Sequence, residues 1–308
     1  MCNTTTKISM EEMRECLLLG LPYMTQEFRE KTERLRQQIL TNPNKNQSSH
    51  SDVLQSVLNK LKKKTPVLLV GPAGCGKSTL LRKVAKQLRY KDEEYCSIPV
   101  NGYTTVYDIV GYNTANGVYI GTAFRKAYQN GGFVVLDELD AGNPNVLTVI
   151  HQALDKSGFY WFPDGMVKRH KRFRLCAAAN TYGHGPTWQY IGRNPLDAAT
   201  VDRFGVVDVD YDEDLERKIG PVKEWTLFIQ ALRHTVSNWD DHIPPVVIST
   251  RAVVDGGYDV KSGTDWDSAL HSFVWRGVAL KPEVIEAMKR EAFELLIKNY
   301  YYTPKRIK

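Results

Sequence analysis

The chain has 308 residues, 42% hydrophobic and 25% charged, enough for a globular core in one large domain or two unequal ones. No apolar run approaches the roughly 20 residues that span a bilayer, and the amino terminus lacks a signal peptide's apolar core, so a membrane-spanning or secreted protein is not expected. The net charge of +6 permits an acidic partner without requiring one, and five scattered cysteines without metal spacing read as reduced thiols of a cytoplasmic protein with no zinc site.

Ser9-Met10-Glu11-Glu12 is a capping-box pattern ahead of a short helix that should stop at Gly20 and Pro22. Residues 25–40 predict a second, mostly charged helix with Phe28, Leu35 and Ile39 as a thin apolar stripe. Residues 41–49 read as a linker. The Asn44-Lys45 pair within it has the look of a guanine-reading Asn-Lys-x-Asp. It precedes the phosphate-binding loop, however, and Gln47 stands where the Asp is needed. Residues 1–50 are thus expected to be a helical extension and linker. Val53, Val57, Leu58 and Leu61 then recur at helical spacing over residues 52–62.

The stretch that organises the rest follows. Val67-Leu68-Leu69-Val70 is an apolar run, Gly71-Pro72-Ala73-Gly74-Cys75-Gly76 a glycine-rich loop, and Lys77-Ser78-Thr79-Leu80-Leu81 opens a helical pattern. This is the Walker A, or P-loop, pattern in the strand–loop–helix setting that it requires. Glycines let the backbone approach a ligand closely. Residues 71–79 line the phosphate, and their N–H groups (all but Pro72 have one) and the positive end of the helix dipole then converge on phosphate oxygens. Lys77 is expected to reach the β- and γ-phosphates and Ser78 to ligate Mg²⁺. Leu80, Leu81, Val84, Ala85 and Leu88 give the helix one buried stripe, and residues 95–100 predict a strand.

Residues 108–120 predict a short hairpin with its turn at 113–117, followed by a helix over 121–129. Phe133-Val134-Val135-Leu136-Asp137-Glu138 is an apolar run ending in two carboxylates, as in a strand buried on both faces of a parallel sheet. Ligands of open α/β sheets sit at the carboxyl ends of strands. Asp137 is therefore expected to hold Mg²⁺, and Glu138 to orient and deprotonate an attacking water, the Walker B pattern. Residues 145–154 predict one helix. The aromatic segment 159–165 predicts a hairpin whose return limb carries Lys168-Arg169-His170-Lys171-Arg172, either a solvated edge or a contact for an acidic partner. Residues 173–179 and 206–209 predict further strands, the first ending at Asn180. Beyond residue 211 the pattern turns helical, with helices expected over 222–236, 250–255, 265–275 and 282–298.

Walker A, Walker B, Asn180, Asp202-Arg203-Phe204 and Ser249-Thr250-Arg251, in this order over residues 52–300, resemble AAA+ ATPases, and within them the MoxR/CobS-type group of the helix-2-insert clade, some of them phage-encoded. That resemblance implies an α/β P-loop NTPase domain over 51–211, with a parallel sheet flanked by helices, and a smaller all-α lid over 212–308. It implies Asn180 as sensor 1, Arg203 as an arginine finger in a neighbouring subunit's site and Arg251 as sensor 2. Arg193 is a second candidate for a trans-acting arginine. The hairpins at 113–119 and 158–172 would be the helix-2 insert and the hairpin before sensor 1, both facing a ring's channel. ATP and Mg²⁺ are the implied ligands. The implied activity is ATP hydrolysis by a homo-oligomeric ring, a hexamer in such proteins, that remodels a protein client, for which a von Willebrand A-type protein is one candidate. An ATP-driven nucleic-acid motor is the alternative, resting on the basic run and its aromatic neighbour. A nucleotide-gated binding module with little hydrolysis is the second alternative.

Overall fold

The computed structural model of the chain describes residues 50–239 and 243–301, with side chains through residue 296. The helices and linker expected before residue 50 lie outside the described residues. The described residues gather into two compact units that divide between Tyr211 and Asp212.

The first unit begins with α1 (His50–Lys62), β1 (Val67–Val70) and α2 (Lys77–Gln87), followed by β2 (Tyr95–Pro99) and the short α3 (Val106–Val110). A two-stranded hairpin, β3 (Tyr112–Asn113) and β4 (Tyr119–Ile120), leads to α4 (Ala123–Asn130) and β5 (Gly132–Asp137). The single helix expected over 145–154 is instead two, α5 (Pro144–Leu147) and α6 (Val149–Leu154), which meet at Thr148. Thr148 Oγ1 donates to the carbonyl of Asn145, a local bond that competes with the helical ladder. A second hairpin, β6 (Phe159–Phe162) and β7 (Gly165–Lys168), precedes β8 (Phe173–Ala179), α7 (Ala198–Val201) and β9 (Gly205–Asp208).

The five long strands form one parallel sheet in the order β2-β5-β8-β1-β9. Successive side chains of a strand point to opposite faces, and both faces here are apolar. On one face Val67, Leu69, Phe133, Val135 and Cys176 pack with the stripes of α1 and α2, among them Val57, Leu61, Leu81 and Val84. On the other, Leu68, Val70, Val134, Leu136, Leu175 and Ala177 pack with Phe124 and Tyr128 of α4 and with Ile150 and Ala153 of α6. The result is a three-layer α/β domain.

The β6–β7 hairpin is two-faced. Tyr160, Phe162 and Val167 are buried against the aromatic rings of Phe124 and Tyr128, whereas Phe159, Trp161, Met166 and Lys168 are exposed. The tips of the two hairpins are tied by Asn113 Nδ2 donating to the Pro163 carbonyl at 2.8 Å, and Asp164 pairs with Arg125 of α4 at 2.9 Å.

The second unit is helical: α8 (Glu213–Ile219), α9 (Lys223–Ser237), α10 (Thr250–Lys261), α11 (Trp266–Phe273) and α12 (Pro282–Tyr301). The helix expected over 250–255 runs on to Lys261, through Gly256 and Gly257. At those positions the ring of Trp225 and the side chain of Pro221 come so near that an added Cβ would lie 2.7–2.8 Å from them. Close packing thus offsets the poor helix propensity of two adjacent glycines. Trp225, Phe228, Leu232, Leu270, Met288 and Ala292 form its core. Glu216 is buried beside Arg233 in a two-pronged ion pair at 2.8 and 3.0 Å, and Thr250 donates to the same carboxylate at 2.7 Å. No helix among the described residues is long and apolar enough to cross a membrane.

Candidate functional site

The glycine-rich loop turns from β1 into α2 at the carboxyl end of the sheet. Gly74 and Gly76 hold φ values of 75° and 91°, the left-handed region that glycine enters without steric cost. Gly71 is needed for a different reason: a Cβ there would lie 1.8 Å from the carbonyl oxygen of Val209, so the loop could not lie against the end of β9. Two tyrosines brace its middle. Ala73 N–H donates to the Tyr190 hydroxyl at 2.9 Å, and the Tyr211 hydroxyl donates to the Ala73 carbonyl at 2.9 Å. The Cys75 thiol is buried, donates to the Val209 carbonyl, and has its pKa pushed up by that burial.

Lys77 is the first residue of α2 and is only 8% exposed. Its ammonium lies folded into the loop, donating to the carbonyls of Gly71 and Pro72 at 2.7 and 2.9 Å and to Asn180 Oδ1 at 2.9 Å. Burial pushes its pKa below the ordinary lysine value, opposed by the nearby Cys75, Asp137 and Asp140. The next residue, Ser78, donates its hydroxyl to Asp137 Oδ2 at 2.9 Å, and Thr79 is exposed beside it. One structure thus joins the loop lysine, the end of β5 and the end of β8.

The β5 strand ends at Asp137, and Glu138 turns the chain sharply with φ 57° and ψ 43°. A non-glycine residue in that region carries strain of order 1–3 kcal/mol. Here it is held by the turn that follows, where Ala141 N–H donates to the Glu138 carbonyl at 2.8 Å. The Glu138 side chain is 57% exposed and accepts from Arg193 Nη1 at 3.1 Å.

Asp140, three residues beyond the strand, is fully buried and joins the parts together. Its Oδ2 accepts from the backbone N–H groups of Asn180 and Thr181 at 3.1 and 3.0 Å and from the Thr181 hydroxyl at 2.9 Å. Its Oδ1 accepts from Arg193 at 3.3 Å, and its backbone carbonyl accepts from Asn194 N–H at 2.7 Å. The carboxylate therefore sets the backbone that carries Asn180 and tethers the loop that carries Arg193. Breaking a buried ion pair by removing one partner typically costs about 3–5 kcal/mol, so Asp140→Ala should lower unfolding stability by about that amount. A urea-unfolding free energy within about 0.5 kcal/mol of wild type would show that the site does not depend on it.

The sequence signals had given Asp140, Tyr190 and Tyr211 no role. The only signal near Asp140 is that Leu-Asp follows Asp137-Glu138, which leaves its partners open. Arg193, weighed as a trans-acting arginine, lies 14% exposed between Glu138 and Asp140 of its own chain. Its loop crosses the crevice, with Tyr190 at the glycine loop and Arg193 at the end of β5.

Arg203 is placed elsewhere. It follows α7, is exposed, and donates to the Ala199 carbonyl. It lines a cavity with Pro66 and Phe173, at the amino ends of β1 and β8, whereas Lys77, Asp137 and Asn180 sit at the carboxyl ends. Arg251 is exposed in the first turn of α10, in the helical unit.

Residues 66–204 match the family described as AAA domain (dynein-related subfamily), and residues 22–108 match the Rad17 P-loop domain. Among curated proteins, the chain is 31% identical over 175 residues to the aerobic cobaltochelatase subunit CobS of a Sinorhizobium species, covering 52% of each chain. It is 34% identical over 99 residues to an ATP-dependent protease ATP-binding subunit-like protein of Rhodococcus erythropolis, covering 29% of this chain and 28% of that one. The chain therefore spans about half the length of the first relative and less of the second. Among solved structures, the RuvB Holliday junction branch migration motor of Thermotoga maritima aligns over 69% of this chain and 61% of that one, at 16% identity and a TM-score of 0.45.

Proposed function

We propose that the chain is a Mg²⁺-dependent ATPase that works as a ring of its own copies and remodels a bound protein partner, a reading that starts from the match of residues 66–204 to the AAA domain (dynein-related subfamily). The observation that carries this reading is the convergence of Lys77, the Ser78–Asp137 pair and Asn180 at one end of the sheet, with Glu138 on the turn beside them.

The site's chemistry fits the ligands. Ser78 Oγ and Asp137 Oδ2 are hard oxygen donors 2.9 Å apart, the donor type that Mg²⁺ takes while keeping waters and phosphate oxygens. When bound there it would neutralise charge on the β- and γ-phosphates. Lys77 would exchange the Gly71 and Pro72 carbonyls for phosphate oxygens. An ammonium already held beside the loop by short bonds has little distance to travel. Asn180 would hold the attacking water through its side-chain amide. Glu138 would accept that water's proton as the new P–O bond forms and the bond to the β-phosphate oxygen breaks. Arg193 holds Glu138 Oε2, which leaves Oε1 for that proton.

Assembly is supported by Arg203. Its position at the amino ends of the strands is remote from its own chain's crevice, so its use as a finger requires a second copy. Similarity to an ATP-dependent protease ATP-binding subunit-like protein favours a protein client. Two measurements test the reading together. Lys77→Ala should abolish turnover and sharply weaken binding of ATP with Mg²⁺, and wild-type turnover per subunit should rise with protein concentration across the range in which the chain assembles. An unchanged rate in Lys77→Ala, or a per-subunit rate flat through assembly, would overturn it.

A further inference from the structure

A second charged site lies at the other end of the sheet. A cavity of about 660 Å³ is lined by Lys63 and Lys64 after α1, Lys156 after α6, Lys168 at the end of β7, and Lys171 ahead of β8, together with Arg203. Asp202 is the only carboxylate residue among its lining residues. None of these five lysines forms an ion pair among the described residues. The arginines that share the wall do not offset the charge. Arg169 donates to the Ala153 carbonyl and Arg174 to the carbonyls of Leu61, Lys171 and Phe173. These bonds to neutral oxygens fix the guanidiniums in place without a carboxylate in hydrogen-bond contact.

Like charges brought together in a concave, low-dielectric setting repel one another and focus a positive potential. A single finger contact to a neighbour's nucleotide would use Arg203 alone and would leave the lysines without a task. The hairpin supplies a second, independent feature. Phe159 pairs with Lys168 and Trp161 with Met166 across β6–β7, so these four side chains share one face. That face is exposed, Trp161 by 65%. It begins at Lys168, which is also part of the cavity wall. A cationic groove that runs onto a row of open aromatic rings is the arrangement that takes a single-stranded nucleic acid, with its phosphates on the lysines and its bases stacked on the rings.

We propose that this chain binds single-stranded nucleic acid at the amino ends of β1 and β8, with the backbone in the lysine-lined cavity and bases on Trp161 and Phe159. A duplex is disfavoured because its bases are already stacked and unavailable to the rings. The site is separate from the glycine loop and does not depend on hydrolysis there.

The test is fluorescence anisotropy of a labelled oligothymidylate of about 16 nucleotides, with the full chain, in EDTA and without nucleotide. Neutralising five phosphates at ~0.7 each predicts a log–log salt slope near −3.5, about a hundredfold loss of affinity between ~50 and ~200 mM salt. The double substitution Lys168→Glu with Lys171→Glu should weaken binding by about tenfold or more and lower the slope by about 1.4. Trp161→Ala should weaken it by about fivefold or more while leaving the slope unchanged. Lys77→Ala should bind as wild type does, so the result stands whether or not the ATPase reading holds. Two results would each overturn the proposal: charge-reversal variants that bind like wild type, or equally effective displacement by polyglutamate of matched charge. The last outcome would make the surface one for an acidic protein segment.

Discussion

Glu138→Gln is expected to lower ATP turnover at saturating substrate by ~10²–10⁴, the usual worth of a positioned general base, while leaving nucleotide binding intact. The asymmetry follows from the geometry. The Glu138 side chain accepts from Arg193, and its bond to Asp137 is made by the backbone N–H, which the substitution leaves in place. An amide of the same shape keeps an acceptor for Arg193 and loses only the ability to take a proton. The backbone at Glu138, left-handed and strained, is retained because the substitution leaves the chain's path unchanged. The measurement is a pair: steady-state phosphate release and equilibrium binding of a labelled ATP analogue with Mg²⁺. Loss of both would mean that the substitution has damaged the fold of the turn. Turnover kept near wild type would remove Glu138 as the base and favour a nucleotide-gated binding module that hydrolyses little.

Arg203→Ala is expected to lower turnover by ~10³–10⁵, or about 4–7 kcal/mol of transition-state stabilisation, if the guanidinium completes a neighbour's site. Its own fold has little to lose. Arg203 is exposed and its side chain donates to a carbonyl one helical turn back. Unfolding stability should therefore change by less than about 0.5 kcal/mol, which separates this outcome from a structural one. The sharper readout is complementation. The Glu138→Gln and Arg203→Ala proteins, each inactive alone, should recover activity when mixed. A head-to-tail seam can then combine Glu138 from one variant with Arg203 from the other, and in a random equal mixture about a quarter of the seams do so. A mixture as inactive as its components would count against a shared site, as would an Arg203→Ala protein with normal turnover.

The two substitutions probe opposite ends of one sheet, and the separation carries a further consequence. If the cavity around Arg203 also holds a nucleic-acid strand, oligonucleotide and subunit assembly act on the same wall. Hydrolysis and strand binding are then linked through Arg203 and its neighbouring lysines and not through the glycine loop.

Much of this protein was legible in its residues alone, for a physical reason. The glycine loop, the apolar strand ending in Asp137-Glu138 and the apolar strand ending at Asn180 are local patterns. A strand buried on both faces must be apolar throughout, and the residue that ends it is set by where the apolar run stops. The parallel sheet and the helical second unit were legible for the same reason, since hydrophobic period reports burial. What the letters could not supply were partners distant in sequence. The buried carboxylate of Asp140 is defined by Thr181 and Arg193, 41 and 53 positions away. Arg193 reads equally well as a surface arginine or a neighbour's finger until the loop that carries it is laid across its own crevice. The division of one expected helix at Thr148 turns on a single hydroxyl bond, which propensity does not resolve. The lysine cavity is assembled from segments near residues 63, 156, 168 and 203, each of which alone looks like an ordinary solvated charge. Local chemistry is written in neighbouring residues, but electrostatic focusing and buried hydrogen-bond networks arise only when distant segments share one volume, and that is decided by the tertiary fold.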